Sequence, residues 1–175
     1  VISGLFARPV VNSPTVGLPP REPSMALARV VPADWARHVS AVSRDVFPGV
    51  PHHQAERVLP IVERHARRFG LDPLLVLAVI QVESRFDPSA VSSQRAIGLM
   101  QLQSETAREL ASSLGLQWTG DELLLDADVN VLLGCAYLSR LIDRFGDLDS
   151  ALAAYSSGPA IVEARRDANG RIPLA

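Results

Sequence analysis

Apolar residues recur every three or four positions from residue 54 onward, which is the spacing of one face of an α-helix. The first such helix is predicted over 54–69, and its apolar face consists of Val58, Leu59, Val62, Ala66 and Phe69. Gly70 follows directly, where a left-handed residue commonly ends a helix. Charged residues occupy the opposite face, and we expect His65, which lies between charged neighbours, to be on the surface.

The next predicted helix is apolar on nearly every side. Asp72 supplies an N-cap and Pro73 the first helical position, and the run from Leu74 to Ser84 stays apolar until Gln81. A helix without a polar face belongs in the interior of a domain, so we expect this one at the centre. Its longest apolar stretch is far too short to span a bilayer, and no transmembrane helix is predicted.

The rest of the chain continues as helices joined by short loops. Residues 86–98 contain a proline and several serines without a helical stripe, and predict an irregular loop or a small hairpin. The remaining helices are predicted over 104–114 before Gly115, from Asn130 as N-cap to Gly146, over 150–155 with Asp149 as N-cap, and after Pro159. Strand signals are nearly absent, so the expected fold class is mostly α, with at most a small β-hairpin.

The first part of the chain differs in composition. Eight of the 13 prolines fall within residues 1–51, in stretches without helical or strand periodicity. We therefore interpret residues 1–50 as a Pro-rich, extended N-terminal segment, in which one short helix is predicted over 33–46. Residues 51–175 form a single helical domain in this interpretation.

Composition and charge exclude several functional classes. Apolar residues make up 47% of the 175 residues and charged residues 21%, as in ordinary globular proteins. The net charge of −2, with basic residues spread along the chain, provides no surface of the kind that attracts nucleic acid. The single cysteine, Cys135, cannot form an internal disulfide, and its apolar helical context favours a buried structural thiol over a reactive nucleophile.

No metal or cofactor site is predicted. His52 and His53 are adjacent on an extended segment and therefore point apart, and no Cys or acidic residue has the spacing of a further ligand. The chain begins with Val1 rather than Met and shows no signal segment, so Val1 is not expected to be the start of translation. A removed secretion signal and a trimmed N-terminus both explain this.

Glu83 is the first candidate for chemistry. It lies in VIQVESRFDPSAV, residues 79–91, near the C-terminal end of the apolar helix. Burial on one side and the negative end of the helix dipole both disfavour the ionised carboxyl and raise its pKa. A carboxyl that keeps its proton near neutral pH can act as a general acid. A glutamate at a helix end can also be an ordinary solvated surface residue, so the assignment depends on the surrounding motifs.

Those motifs resemble a known family. Glu83-Ser84, the loop PSAVSSQRAIGLMQL (residues 88–102) and AYSSGP (residues 154–159) are similar in order and spacing to three motifs of the soluble lytic transglycosylase catalytic domain, a goose-lysozyme-like member of the lysozyme superfamily. The resemblance extends from Val58 to Val162 and includes intervening matches at Asn130, Gly134, Tyr137 and Leu138. It implies a lysozyme-like helical fold and a catalytic domain over residues 51–175.

The resemblance also implies an activity. Members of the family cleave the β-1,4 bond between N-acetylmuramic acid and N-acetylglucosamine in peptidoglycan and leave 1,6-anhydromuramyl ends. Glu83 would protonate the glycosidic oxygen and later take the proton of the muramic C6 hydroxyl. Peptidoglycan glycan strands are then the expected partner, and a periplasmic or secreted location at the bacterial cell envelope is expected. Residues 1–50 are a candidate contact with a cell-envelope or secretion assembly.

The distribution of acidic residues bears on the mechanism. Ordinary glycosidases use two carboxylates, but no acidic residue lies between Asp87 and Glu105, in the loop that follows Glu83. This favours the substrate-assisted route attributed to the family, and we interpret Asp87 as a turn-former. A distant acid (Asp121, Glu122 or Asp126) could still enter the cleft, which would make the protein a hydrolysing lysozyme. A non-catalytic peptidoglycan-binding or scaffold module is the other alternative.

Four loop residues are candidate substrate contacts. Ser92 matches the family serine that helps position the substrate acetamido group, with turn capping as the alternative. Gly98 would let the backbone approach sugar, Met100 would offer an adaptable apolar surface, and Gln101 would present an amide donor and acceptor. The two leucines of the GLMQL motif are expected in the core.

Three further positions complete the candidate site. Tyr155 matches the family tyrosine whose hydroxyl lies near the catalytic carboxyl, with a core aromatic as the alternative. Ser84 can brace the loop after Glu83 or only cap the helix, and Ser156 is a candidate supporting residue. Two departures from the family pattern are expected to alter the site: Arg95 stands where Gly is usual, and Ser156-Ser157 stand where Asn-Ala is usual.

Overall fold

The structure, a computed structural model, describes residues 52–165. The helices are α1 (His52–Arg68), α2 (Pro73–Ser84), α3 (Ser104–Ser113), a 3₁₀ helix (Asp121–Leu125), α4 (Ala127–Phe145), α5 (Leu148–Ser157) and α6 (Pro159–Arg165). The expectation of a mostly α fold is confirmed. Within the described residues, β-pairing is limited to the isolated bridges Val91 to Ile97 and Ile97 to Leu102, as expected for the loop or small hairpin. The predicted N-terminal extension and its short helix lie outside the described residues.

Helix α4 is the element around which the core is built. It contributes Val131, Cys135 and Leu138 to a cluster with α1 and α2, Leu133 and Ala136 to a second with α3, and Leu141 and Phe145 to a third with α5 and α6. Cys135 is buried as expected, and burial raises the pKa of its thiol. Among residues 52–165, no helix combines the length and apolarity that crossing a membrane requires.

Helix α2 is less central than predicted. Five of its residues are buried, yet Leu74 is 50% and Val82 is 81% exposed, so one side of the helix faces outward. The sequence pattern could not reveal this side, because the helix has no polar stripe to mark it.

The helix N-caps were predicted with mixed success. Asp72 caps α2 as expected, its carboxylate accepting a hydrogen bond from the Leu74 N–H at 2.9 Å. Two predictions are wrong, because Asp126 rather than Asn130 caps α4 and Asp147 rather than Asp149 caps α5. Each helix begins earlier than expected, since an aspartate directly before the first helical residue accepts hydrogen bonds from free N–H groups of the first turn.

His65 is buried, contrary to the expectation of a surface position. Its Nε2 lies 2.9 Å from Oδ1 of Asp128, which joins α1 to the first turn of α4. Arg64 also contacts this carboxylate, at 3.3 Å. The charged neighbours of His65 in sequence point outward on α1, and they led to the wrong prediction that His65 does so too.

Candidate active site

A cleft of about 480 Å³ lies between the end of α2, the loop before α3, and the junction of α5 with α6. Its lining residues are Glu83, Ser92, Gln94, Ala96, Gln101, Leu102, Gln103, Thr106, Tyr137, Tyr155, Ser156, Ser157, Gly158 and Pro159. Five residues predicted for the site are therefore brought together: Glu83, Ser92, Gln101, Tyr155 and Ser156. Three others, Ser84, Gly98 and Met100, are not among the lining residues.

Glu83 occupies the last turn of α2, and the backbone turns sharply after it. Arg85 and Phe86 have positive φ angles of 53° and 66°, and the Arg85 N–H closes the helix on the Gln81 carbonyl. Phe86 is fully buried and anchors the chain directly after the turn. Glu83 is partly buried, and this burial raises the pKa of its carboxyl, the direction predicted from the sequence.

Glu83 is the only carboxylate among the described residues that line the cleft. Asp87 is exposed and accepts hydrogen bonds from the Ser89 hydroxyl and N–H, which lower its pKa, so its interpretation as a turn-former is confirmed. Asp126 caps α4, Asp121 and Glu122 begin the 3₁₀ helix, and none of the three is among the lining residues. The second carboxylate of an ordinary glycosidase has no counterpart in this set.

Gln101 lines the cleft, and its amide nitrogen is held by the loop. Its Nε2 donates hydrogen bonds to the carbonyl oxygens of Ala90 and Gly98 at 3.1 and 3.0 Å. Because both partners are acceptors, the nitrogen is assigned unambiguously and is committed to the loop. The expectation that Gln101 offers a sugar both donor and acceptor therefore reduces to the acceptor, the amide oxygen.

The three serines play different structural roles. The Ser92 hydroxyl accepts a hydrogen bond from the Ala96 N–H at 3.0 Å, so Ser92 caps a turn and lines the cleft at once. The Ser84 hydroxyl donates to the Ile80 carbonyl within α2, which supports the helix-end alternative rather than a brace for the loop. Ser156 is exposed at the rim of the cleft.

Two candidate contacts belong to the core instead. Met100 is fully buried, so the prediction that its side chain presents a surface to sugar is wrong. A Cβ on Gly98 would come within 2.3 Å of Asn130 Nδ2 and of the Leu124 carbonyl oxygen. The neighbour that requires glycine at position 98 is therefore buried protein, and the predicted close approach to sugar is wrong as well.

Two tyrosines, Tyr137 on α4 and Tyr155 on α5, also line the cleft. The Tyr155 hydroxyl donates a hydrogen bond to the Met100 carbonyl at 2.7 Å, and its ring centroid lies 5.3 Å from that of Tyr137. Burial, and then the nearby charge of Glu83, hold the pKa of Tyr155 well above its usual range. Tyr155 thus combines both sequence interpretations: its hydroxyl is satisfied by the backbone, and its side chain lies in the cleft within the field of Glu83.

Sequence reasoning did not single out several lining residues. Tyr137 appeared only as part of the family pattern, although it lies on the same face of α4 as Asn130 and Gly134, a spacing that could have identified it. Gln94 and Gln103 are joined by a hydrogen bond from the Gln103 amide to the Gln94 carbonyl at 3.1 Å. Apart from their proximity to the GLMQL motif, nothing in the sequence marks Gln94 and Gln103 as residues of the cleft.

Arg95 retains a backbone angle that glycine favours. Its φ is 63°, and its N–H donates to the Ser92 carbonyl at 2.9 Å in a tight turn. The side chain is exposed and lies outside the lining set. The departure from glycine therefore places an arginine in a left-handed conformation that glycine adopts more readily.

Comparison with known proteins identifies a family. The family model described as "Transglycosylase SLT domain" matches residues 60–172. The chain is 35% identical over 130 residues to membrane-bound lytic murein transglycosylase C of Histophilus somni, covering 67% of this chain and 36% of that protein. It is 40% identical over 98 residues to the endo-type membrane-bound lytic murein transglycosylase A of Cronobacter sakazakii, covering 54% of this chain and 47% of the relative.

Solved structures of lytic transglycosylases have a fold similar to that of this chain. An inactive glutamate-to-glutamine mutant of the lytic transglycosylase Slt from Pseudomonas aeruginosa superposes with a TM-score of 0.62 at 32% identity, covering 77% of this chain and 22% of that one. The 70 kDa soluble lytic transglycosylase of Escherichia coli, at 24% identity, supports the fold alone, with a TM-score of 0.58 over 74% of this chain and 23% of that one. The chain thus spans less than half the length of each of these relatives.

Proposed function

The chain belongs to the transglycosylase SLT domain family, and from this we propose that it is a peptidoglycan lytic transglycosylase. It cleaves the β-1,4 bond between N-acetylmuramic acid and N-acetylglucosamine and forms a 1,6-anhydromuramyl end. The observation that carries the proposal is Glu83, whose pKa is raised by burial and which is the only carboxylate among the described lining residues. The lytic murein transglycosylases among its relatives support the same substrate.

In the proposed reaction, the Glu83 carboxyl acts twice. It first gives its proton to the glycosidic oxygen as the bond from that oxygen to muramic C1 breaks. The muramic C6 oxygen then bonds to C1, and its proton passes to the Glu83 carboxylate. The carboxyl is thereby restored and no water is consumed, which is consistent with a cleft whose described lining offers no second carboxylate to activate water.

The other lining residues have supporting roles in this proposal. The amide oxygen of Gln101 accepts a hydrogen bond from the sugar, and Ser92 helps to position the acetamido group whose oxygen stabilises the developing positive charge at C1. Tyr155 bounds the site next to Glu83, and Ser156 contacts the glycan at the rim. Apart from Glu83, the described residues that line the cleft are uncharged and most are polar, which suits a sugar backbone rich in hydroxyl groups.

Isotope labelling separates the proposed reaction from hydrolysis. Purified peptidoglycan is digested in ¹⁸O-labelled water, and the fragments are identified by mass spectrometry. Anhydro ends without ¹⁸O support the proposal. Reducing ends that carry ¹⁸O at C1 would identify a hydrolysing lysozyme, and binding without any fragments would identify a non-catalytic module.

The location and partners of the protein are also proposed. Relatives named as membrane-bound murein transglycosylases support action on peptidoglycan in the bacterial cell envelope, with a periplasmic or secreted location as the finer proposal. Residues 1–50 lie outside the described residues, and a contact with a cell-envelope or secretion assembly through them remains a prediction. Fractionation of cells producing the natural protein tests the location.

A further inference from the structure

Asn130 has an unusual position for a polar residue. It is fully buried in the first turn of α4. Its side-chain oxygen accepts a hydrogen bond from the Met100 N–H at 2.8 Å, and its Nδ2 donates to the carbonyl oxygens of Ile97 and Leu124, both at 2.9 Å. Both amide hydrogens and the amide oxygen are therefore used, and one side chain joins α4, the loop before α3 and the 3₁₀ helix. Such a fully satisfied buried group specifies one arrangement of the segments that it joins.

The surface of α4 is shaped to receive this loop. A Cβ on Gly98 would come within 2.3 Å of Asn130 Nδ2, and a Cβ on Gly134 would come within 2.2 Å of the Met100 sulfur. Asn130 and Gly134 are one helical turn apart and therefore share a face of α4. Gly134 thus leaves space for the Met100 side chain, and Gly98 lets the loop backbone pack closely against Asn130.

Met100 is fixed at both of its backbone polar groups. Asn130 accepts its N–H, and the Tyr155 hydroxyl donates to its carbonyl oxygen. Gln101 follows with a φ of 47°, an angle that residues other than glycine rarely adopt and that the surroundings must maintain. Gln101 itself is held by hydrogen bonds from its N–H and its Nε2 to the Gly98 carbonyl. Asn130 in turn bonds Ile97 and Met100, the residues on either side of the Gly98–Leu99 pair, and so fixes the segment to which Gln101 is attached.

We propose that Asn130 is a positioning residue of the active site, which acts through Met100 to hold Gln101 in the conformation that presents its amide oxygen to the glycan. The inference deepens the proposed function and rests on it. Without the Asn130 anchors, the loop is released and Gln101 relaxes to a more common backbone angle. Its amide oxygen then leaves the position in which it accepts from the sugar.

A double-mutant cycle tests whether Asn130 acts through Gln101. Asn130→Asp preserves volume and the acceptor for Met100, but an ionised carboxylate cannot donate to Ile97 or Leu124. We expect kcat/KM on soluble glycan strands to fall at least tenfold in the native background and less than twofold in a Gln101→Ala background, because coupled residues are not additive. Equal losses in the two backgrounds would overturn the proposal.

A matched core substitution separates positioning from stability. Val131 is adjacent to Asn130 on α4, fully buried and outside the cleft lining. Val131→Ala is expected to lower Tm but to change kcat/KM less than twofold. If it reduces activity as much as Asn130→Asp at an equal loss of Tm, Asn130 is only structural. If Asn130→Asp does not fold, Asn130→Ser is taken through the same cycle, because it removes the reach to Met100 without burying a charge.

Sugar binding distinguishes failure of this inference from failure of the proposed function. Affinity for tetra-N-acetylchitotetraose is measured in a Glu83→Gln background, where no turnover is needed. The same coupling between Asn130 and Gln101 is expected in the dissociation constant. A native chain that leaves peptidoglycan intact refutes the proposed activity, whereas additive effects on sugar binding refute the role of Asn130.

Discussion

The hydroxyl of Tyr155 donates a 2.7 Å hydrogen bond to the backbone carbonyl of Met100 and so joins α5 to the loop that carries Gln101. The contact connects two of the motifs recognised in the sequence, which are 55 residues apart. It also explains why a tyrosine rather than a phenylalanine is needed at this place in the wall, since the Met100 carbonyl is otherwise buried without a donor.

Removing the Tyr155 hydroxyl tests this contact. Tyr155→Phe keeps the ring but leaves a buried carbonyl unsatisfied, which is expected to cost about 1–2 kcal/mol of unfolding free energy. The loop is expected to loosen, and kcat/KM should fall by about tenfold, equivalent to ~1.4 kcal/mol of barrier. Tyr137→Phe serves as the stability control, because it removes a hydroxyl from the neighbouring ring without affecting Met100. Equal losses of stability in urea titrations of both variants would contradict the structural role of the Tyr155 hydrogen bond.

Two glycine substitutions separate backbone strain from steric conflict. Gly98 and Gly115 have similar φ angles of 80° and 72°, but a Cβ at position 115 would meet nothing within 4 Å. Gly115→Ala should therefore cost only the left-handed penalty of roughly 1–2 kcal/mol. Gly98→Ala adds the conflict with Asn130 and Leu124, and its total cost is expected at about 3 kcal/mol or more, as for other severe core changes. Equal thermal destabilisation of the two variants would refute the packing role of Gly98.

Arg95 provides a position at which the protein can be stabilised. Because the φ of Arg95 is 63°, Arg95→Gly removes the penalty of a left-handed conformation. Glycine also has more freedom in the unfolded chain, which offsets part of this gain. The free energy of unfolding is therefore expected to rise by about 0.5–1 kcal/mol. Arg95→Ala is the matched control, because it removes the guanidinium but keeps the strained angle. A gain in both variants would show that the charge, and not the backbone, is responsible.

The pKa of Glu83 predicts a pH dependence of activity. A general acid must be protonated in the free enzyme, so kcat/KM is expected to fall as pH rises through this pKa. Burial raises the pKa above its ordinary value of 4.5, and the fall should therefore occur at a higher pH than for an exposed glutamate. A profile of kcat/KM against pH measures the midpoint of this fall directly. A midpoint at or below 4.5 would contradict the assignment.

The same shift has a consequence for stability. Between the unfolded and the folded pKa of Glu83, the folded state binds more protons, so this group destabilises the fold as pH rises through that window. Glu83→Gln should match the native protein in stability below pH 4.5 and exceed it above the window. Asp87 is the control of opposite sign, because hydrogen bonds from Ser89 lower its pKa and its contribution is lost as pH falls. The free energy of unfolding of the native, Glu83→Gln and Asp87→Asn proteins is measured across pH. The difference between each variant and the native protein is expected to change with pH in opposite directions for the two variants.

The sequence was informative where the deciding interactions are local. The cap at Asp72, the turn at Asp87 and the burial of Cys135 all follow from residues within a few positions. The pKa direction of Glu83 was also predictable, because a helix that is apolar on nearly every side leaves its last turn partly buried.

The errors concern residues whose partners are distant in sequence. His65 contacts Asp128, 63 positions away, and its charged neighbours suggested a surface. Asn130 resembled a helix cap, but its partner Met100 lies 30 positions away. The chemistry of Met100 and Gly98 suits a sugar site and a core equally well. Only the packing of the loop on α4 decides between them.

The proposed role of Glu83 in peptidoglycan cleavage is tested most directly by comparing the products of the native protein and of Glu83→Gln on purified sacculi. Glu83→Gln keeps the size of the side chain and its place in the cleft but cannot donate or accept the catalytic proton. Mass spectrometry of the soluble fragments is expected to show anhydromuropeptides from the native protein and none from the variant, with both proteins folded by circular dichroism. Anhydromuropeptides released at similar rates by both proteins would contradict the account.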